Sequence, residues 1–233
     1  MSDFVLRFRG AVSSLGAEGR AVLLERGTSD DDVLRDTVSA TIDVVRREGD
    51  AALKSLAREY DKAKLTRLDI PRAKWTAALE QLDPRVRAAM ERAARNIETA
   101  HRAFLPQATE VETEPGIVIG RRPDPLGRVG VYAPGGRAAY PSSVLMGAIP
   151  ARVAGVKEVI VCSPPNSSGS PTAEVLAACA IAGVDRVFAL GGAGAIAAMA
   201  YGTESVPRVD RIVGPGNTWV TEAKVQVAKV CAI

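Results

Sequence analysis

Histidine is almost absent: His101 is the only one in 233 residues. A zinc site with two histidines, or a Ser-His-Asp triad beside a His-bearing metal site, is therefore beyond one copy of the chain. Cysteine is scarce too. Cys162, Cys179 and Cys231 are an odd count, each in an apolar run. That usage reads as reduced thiols of a cytoplasmic protein rather than a disulfide framework. No apolar stretch reaches the ~18–20 residues of a membrane span, and the opening MSDFVLRFRG holds no signal-peptide core. Gly-Lys-Ser/Thr does not occur, which excludes a P-loop. The formal charge is only +3, with Lys and Arg mixed among acids, so nucleic-acid binding is not expected. Arg7, Arg9, Arg121 and Arg122 read as scattered, solvated surface.

What is present is an ordinary globular composition, 47% apolar and 24% charged, long enough to bury a core without metals or disulfides. The chain changes character near residue 128. Residues 1–127 carry 42 of the 57 charged side chains, whereas residues 128–233 carry 15 and hold 13 of the 21 glycines. A boundary there divides a helical part (1–127) from a glycine-rich part (128–233).

Helical signals fill the first part. Ser29 is a candidate N-cap followed by three aspartates, and Val33, Val38, Ile42 and Val45 recur at helical spacing until Gly49. Asp50 restarts a helix through Leu53, Leu56 and Tyr60. Asp69–Pro71 and Asp83–Pro84 are further starts, the last leading to a stripe of Met90, Ala94, Ile97 and His101. Residues 116–121 alternate as a short strand. The second part places short Val/Ile runs at 129–133, 159–162, 187–190 and 212–213, with helix-like segments at 143–154, 172–182, 193–201 and 218–229. Such alternation predicts βαβ units, a parallel sheet and a ligand site beyond the carboxyl ends of its strands.

Three of these strands run into glycine turns: Pro134-Gly135-Gly136, Gly191-Gly192-Ala193-Gly194 and Gly214-Pro215-Gly216-Asn217. Glycine lets backbone approach a bulky anion, and a helix N-terminus adds free N–H groups. Together the turns suit a nucleotide, although any short turn between strand and helix favours glycine. The dinucleotide fingerprint is incomplete. Gly192-x-Gly194 lacks its third glycine, and no acid follows at the expected strand end.

Over the stretches GRVGVYAPGGRAAYPSSVLMGAIPARVAGVKEVIVCSPP (127–165), GGAGAIAAMAYGTESVPRVDRIVGPGNTWVTEAK (191–224), REGDAAL (47–53) and PGIVIGRRPDPLGRVG (115–130), the chain resembles the histidinol dehydrogenases. The resemblance implies an α/β fold of incomplete, Rossmann-like parallel sheets, aldehyde-dehydrogenase-like, with a helical N-terminal segment. It implies an NAD-dependent oxidoreductase of histidine biosynthesis, taking L-histidinol through the aldehyde to L-histidine with two NAD⁺. It also implies a homodimer with one zinc per site, the zinc holding substrate and a Glu-His pair doing the acid/base work. Carried onto this chain, the cofactor contacts fall on Tyr132, Gly194 and Asn217. Tyr132 reads equally as a sheet-edge tyrosine and Asn217 as a helix cap. At Gly194 the family has the Gln of GGAQAIAA, so an amide worth about 0.5–1.5 kcal/mol per hydrogen bond is missing.

The family's zinc ligands and Glu-His pair lie downstream of GPGNTWVTEAK. The expectation is therefore a truncated chain, inactive alone, with no catalytic residue or metal ligand of its own and a tail (230–233) that begins a strand returning to the first domain. Alcohol oxidation needs a base. His101, on an apolar stripe, reads instead as a helix-packing or interface residue, Glu204 and Glu222 as solvent-facing or capping, and the cysteines as buried structural thiols. Two other readings stand beside this one: a non-catalytic nucleotide-binding module, and a gene fragment without function that would expose apolar surface.

Overall fold

The computed structural model describes residues 10–24, 31–135 and 138–233. Contacts divide the chain into two compact units, residues 1–32 and 33–233. The first contains helix α1 (Ala17–Leu24). The change in composition near 128 marks where the parallel sheet begins, inside the larger unit. The candidate cap Ser29, the arginines Arg7 and Arg9, and Gly136 lie outside the described residues.

The larger unit opens with α2 (Asp32–Tyr60), α3 (Arg72–Gln81) and α4 (Pro84–Ala103). A ribbon follows, β1 (Thr109–Glu114) paired antiparallel with β2 (Ile117–Arg121). Then come β3 (Arg128–Tyr132), α5 (Pro141–Val153), β4 (Glu158–Ser163), α6 (Ala173–Ile181), β5 (Arg186–Ala189), α7 (Gly192–Tyr201), β6 (Arg211–Val213) and α8 (Thr218–Val227). The last four strands form one parallel sheet in the order β5-β4-β3-β6. This is the α/β fold the sequence predicts. The chain winds outward from β3 through β4 to β5, then returns to the other side of β3, so the strand order reverses between β3 and β6.

Strand alternation builds two cores. Val129, Val131, Val159, Val161 and Val187 face α3, α4, α5 and α6. Tyr132, Ile160, Cys162, Phe188 and Ile212 face α2, α7 and α8. Ile160 and Ile212 are fully buried, and truncating such a side chain to Ala costs about 2–5 kcal/mol. Both edges of the sheet are covered. Along β5, Asp69 bridges Phe188, with Ile70 N–H donating to Val187 and Ala189 N–H donating to Leu68. Asp69 thus covers a strand edge, and Pro71 is the residue that caps α3. Along β6, Ile212 N–H donates to Ala232. The tail therefore pairs within this sheet, parallel to Arg211.

Gly49 explains how α2 bends. Its φ of 54° and ψ of −129° break the helix, and a Cβ there would overlap the Glu204 carboxylate. Glu204 accepts the Asp50 N–H at 2.9 Å, capping the second half of α2. In exchange Asp50 accepts from Thr203 Oγ1 at 2.7 Å, from Ser205 N at 3.3 Å and from Ser205 Oγ. Burial raises the Asp50 pKa, but the hydrogen bonds from Ser205 and Thr203 outweigh it and hold the carboxyl below its ordinary value. Two carboxylates thereby clamp α2 to the loop after α7.

Two residues of the α2 spacing stay outside the core: Val33 and Tyr60 are exposed. The α4 stripe packs as far as Met90, Ala94 and Ile97. His101, one turn on, is exposed with Phe104 edge-on to its ring, so it packs no helix. Glu204 caps, as expected, but Glu222 is buried and accepts from Gln226 Nε2 at 2.8 Å. All three cysteines are buried, and burial pushes each thiol pKa up. Among the described residues no helix is long and apolar enough to cross a membrane.

Candidate nucleotide site

The two ends of the parallel sheet differ chemically. Ion pairs and backbone-directed arginines bind its amino end. Arg128 pairs with Glu158 and donates to the Arg208 carbonyl, while Arg152 pairs with Asp185, which accepts the Val159 N–H at 2.7 Å. Among the described residues the carboxyl end has no such pairs. It carries the glycine turns and opens into a cavity of about 390 Å³, within the roughly 300–1,000 Å³ of small-molecule sites.

Packing accounts for part of the glycine content. A Cβ on Gly135 would come within 3.3 Å of Pro164, and one on Gly191 within 2.9 Å of it, so these two turns close around the residue after β4. Gly214 has φ +107°, and a Cβ there would overlap the Tyr132 carbonyl oxygen. The Gly214 carbonyl also accepts from Lys224 Nζ, whose burial lowers its pKa. This turn lies flush against β3 and is tied down from α8.

The structure brings the three candidate contacts together on one cavity. Tyr132 is not a sheet-edge residue: β3 is an inner strand and the side chain is buried. Its hydroxyl oxygen accepts the Gly192 N–H at 3.1 Å, which leaves the phenolic proton free to donate. Burial pushes its pKa up to about 12, so it stays protonated. Asn217 is the N-cap of α8, its Oδ1 accepting from Val220 N at 3.1 Å. The side-chain NH₂ makes no hydrogen bond with the described residues. Gly194 is buried in the first turn of α7, where a Cβ would lie 2.9 Å from Leu56 Cδ1 and 3.5 Å from Leu53 Cδ2. Those leucines take the space next to it. The N-cap residue Gly191 has no side chain to cap α7; Tyr132 takes the Gly192 N–H, and Ala193 and Gly194 line the cavity at the positive end of the helix.

Sequence reasoning missed the wall opposite the glycine turns. It comes from α2 and the residue after it: Leu53, Leu56, Tyr60 and Asp61. Asp61 is part-buried, makes no side-chain hydrogen bond or ion pair with the described residues, and burial pushes its pKa up to about 6. No local pattern marks these residues, because only the packing of α2 against distant turns places them.

The family model described as histidinol dehydrogenase matches residues 24–233. The chain belongs to the histidinol dehydrogenase family. It is 50% identical over 212 residues to the histidinol dehydrogenase of Methanosarcina mazei, covering 91% of this chain and 49% of that protein. With the Xanthomonas axonopodis pv. citri histidinol dehydrogenase it shares 49% identity over 195 residues, 84% of this chain and 45% of the relative. The crystal structure of histidinol dehydrogenase from Elizabethkingia anophelis superposes with a TM-score of 0.86 at 33% identity, covering 94% of this chain and 51% of that one. The chain thus spans about half the length of the histidinol dehydrogenases it matches. Among the described residues no three His, Cys, Asp or Glu side chains are grouped to hold a metal ion.

Proposed function

We propose that this chain is the dinucleotide-binding half of a histidinol dehydrogenase, an oxidoreductase taking L-histidinol to L-histidine with NAD⁺. The observation that carries the reading is the position of the cavity: outside the carboxyl ends of parallel strands, beside the point where strand order reverses, with the N-terminus of α7 opening into it. Open parallel sheets bind their ligands at such points. NAD⁺ would supply hydride acceptance there. The chain's own residues would bind and orient it. The α7 amides at Ala193 and Gly194 face its pyrophosphate, the Asn217 NH₂ and the Tyr132 hydroxyl donate to its polar groups, and Leu53 and Leu56 keep water from one side.

In this reading the base, the zinc and the substrate-holding groups come from outside the chain. Titration calorimetry with NAD⁺ tests the first part: saturable binding at one site per chain supports it, and no heat with any nucleotide refutes it. NADH formation from histidinol by the purified 233-residue chain would overturn the second part.

A fragment without function is the competing reading, and two observations favour it. The β1–β2 ribbon exposes Val111, Ile117, Val118 and Ile119. A broader apolar cleft of about 660 Å³ runs along Leu126, Met146 and Val213. A sharply melting, monodisperse chain that binds NAD⁺ counts against this reading.

A further inference from the structure

We infer that Asp61 selects the cofactor: its carboxylate receives the ribose diol of the adenosine half of the dinucleotide and excludes a 2′-phosphate. This rests on the dinucleotide reading above and adds a specificity residue to it.

Three observations lead there. First, the usual acid is missing. In parallel dinucleotide folds an Asp or Glu at the end of the second strand accepts from the ribose hydroxyls. Here β4 is that strand, and it ends in Cys162-Ser163 followed by Pro164, with no acid.

Second, the fold brings a replacement to the same place from another element. Asp61 follows directly on α2 and lines the cavity together with Pro164, the residue after β4, and Tyr132, the last residue of β3. Its charge is felt at the Tyr132 hydroxyl. Tyr132 is itself in register with Cys162 on β4. Asp61 therefore reaches the strand ends across the cavity instead of along the sheet.

Third, the carboxylate is unsatisfied. Other aspartates of the helical part have donors: Asp50 has Thr203 and Ser205, Asp69 has Arg67 and Asp83 has the Arg85 N–H. Asp61 has none among the described residues, although it is more withdrawn from water than an ordinary surface carboxylate. A part-buried acceptor left without a donor is costly, and a vicinal diol supplies two. Nor does any Lys or Arg stand among the described residues lining the cavity. A 2′-phosphate would meet Asp61 with no countercharge from the described lining residues, which is repulsion by like charge.

The test measures NAD⁺ and NADP⁺ affinity by titration calorimetry for the wild-type chain, Asp61→Asn and Asp61→Ala, with circular dichroism confirming that each is folded. The wild type is expected to prefer NAD⁺. Asp61→Ala should lose about tenfold or more in NAD⁺ affinity, the loss of a charge-assisted acceptor. Asp61→Asn should gain NADP⁺ affinity and narrow the preference by about tenfold, because the repelling charge is gone while an amide still meets the ribose. NAD⁺ binding with an unchanged NAD⁺/NADP⁺ ratio in both folded variants overturns this inference and leaves the site standing. Tighter binding of NADP⁺ by the wild type also overturns it. Absence of binding by either nucleotide removes the site and the inference with it.

Discussion

Replacing Asp50 by Ala should uncouple α2 from the loop after α7. The carboxylate accepts a hydroxyl at 2.7 Å from Thr203, a second from Ser205, and a longer 3.3 Å bond from the Ser205 amide. Hydrogen bonds to a charged acceptor contribute about 1.5–3 kcal/mol each. The third bond is long and Asp50 is partly open to solvent, so about 2–3 kcal/mol in all is a reasonable total. The pH dependence follows from the direction of the pKa shift. Hydrogen bonding holds the folded-state pKa below the ordinary 3.8, so the contribution is complete above that value and drains away as the pH falls through the folded-state pKa. Urea denaturation followed by circular dichroism, near neutrality and again in acid, measures both. Wild type and D50A should differ by about 2–3 kcal/mol near neutrality and converge in acid. A neutral-pH difference under about 0.5 kcal/mol, the level of an indifferent surface change, would refute the clamp.

Other expectations concern the cavity. Gly214→Ala forces a side chain into the Tyr132 carbonyl at positive φ and should destabilise by about 3 kcal/mol or more in the same assay. Gly194→Gln, which restores the amide that the resemblance implies, should cost about 1–3 kcal/mol alone because Leu56 Cδ1 lies 2.9 Å from the new Cβ. Adding Leu56→Ala should recover part of that stability and raise NAD⁺ affinity over the Leu56→Ala single variant. If Gly194→Gln alone matches the wild type, Leu56 does not guard the position. The Asp61 carboxyl, raised to about 6, gives two opposed trends. Its protonated form is the one the ligand-free fold prefers, so its contribution to stability is present below 3.8 and is lost as pH rises through about 6. NAD⁺ affinity should run the other way, falling as pH drops below that same value, since the diol needs the charged acceptor. Affinity flat between neutrality and mild acid would contradict it.

The parallel strands were legible because four Val/Ile runs sit between helical segments, and each matches a strand to within a residue or two. The Gly49 break and the Asp83-Pro84 start were legible because their chemistry is local. Strand β1 was not. Its sequence TEVETE offers one apolar residue among acids, and only pairing with β2 makes it a strand. The edge role of Leu68–Ile70 was hidden as well, because a proline just after it reads as a helix start. For the site, motif resemblance could point to Tyr132, Gly194 and Asn217. It could not reveal that Leu56 packs against Gly194 or that Asp61 faces the cavity, since both depend on where α2 comes to rest.

The return of β6 to the flank of β3 has a kinetic consequence. The Arg128 amide meets the Asp210 carboxylate across 82 residues of chain, and the Gly214 turn seats against Tyr132 only once that long loop has closed. Local helices form far sooner than such distant pairings. A newly made chain can thus be rich in helix and still have no nest for a coenzyme, and a stopped-flow experiment should see ellipticity recover well before coenzyme binding does.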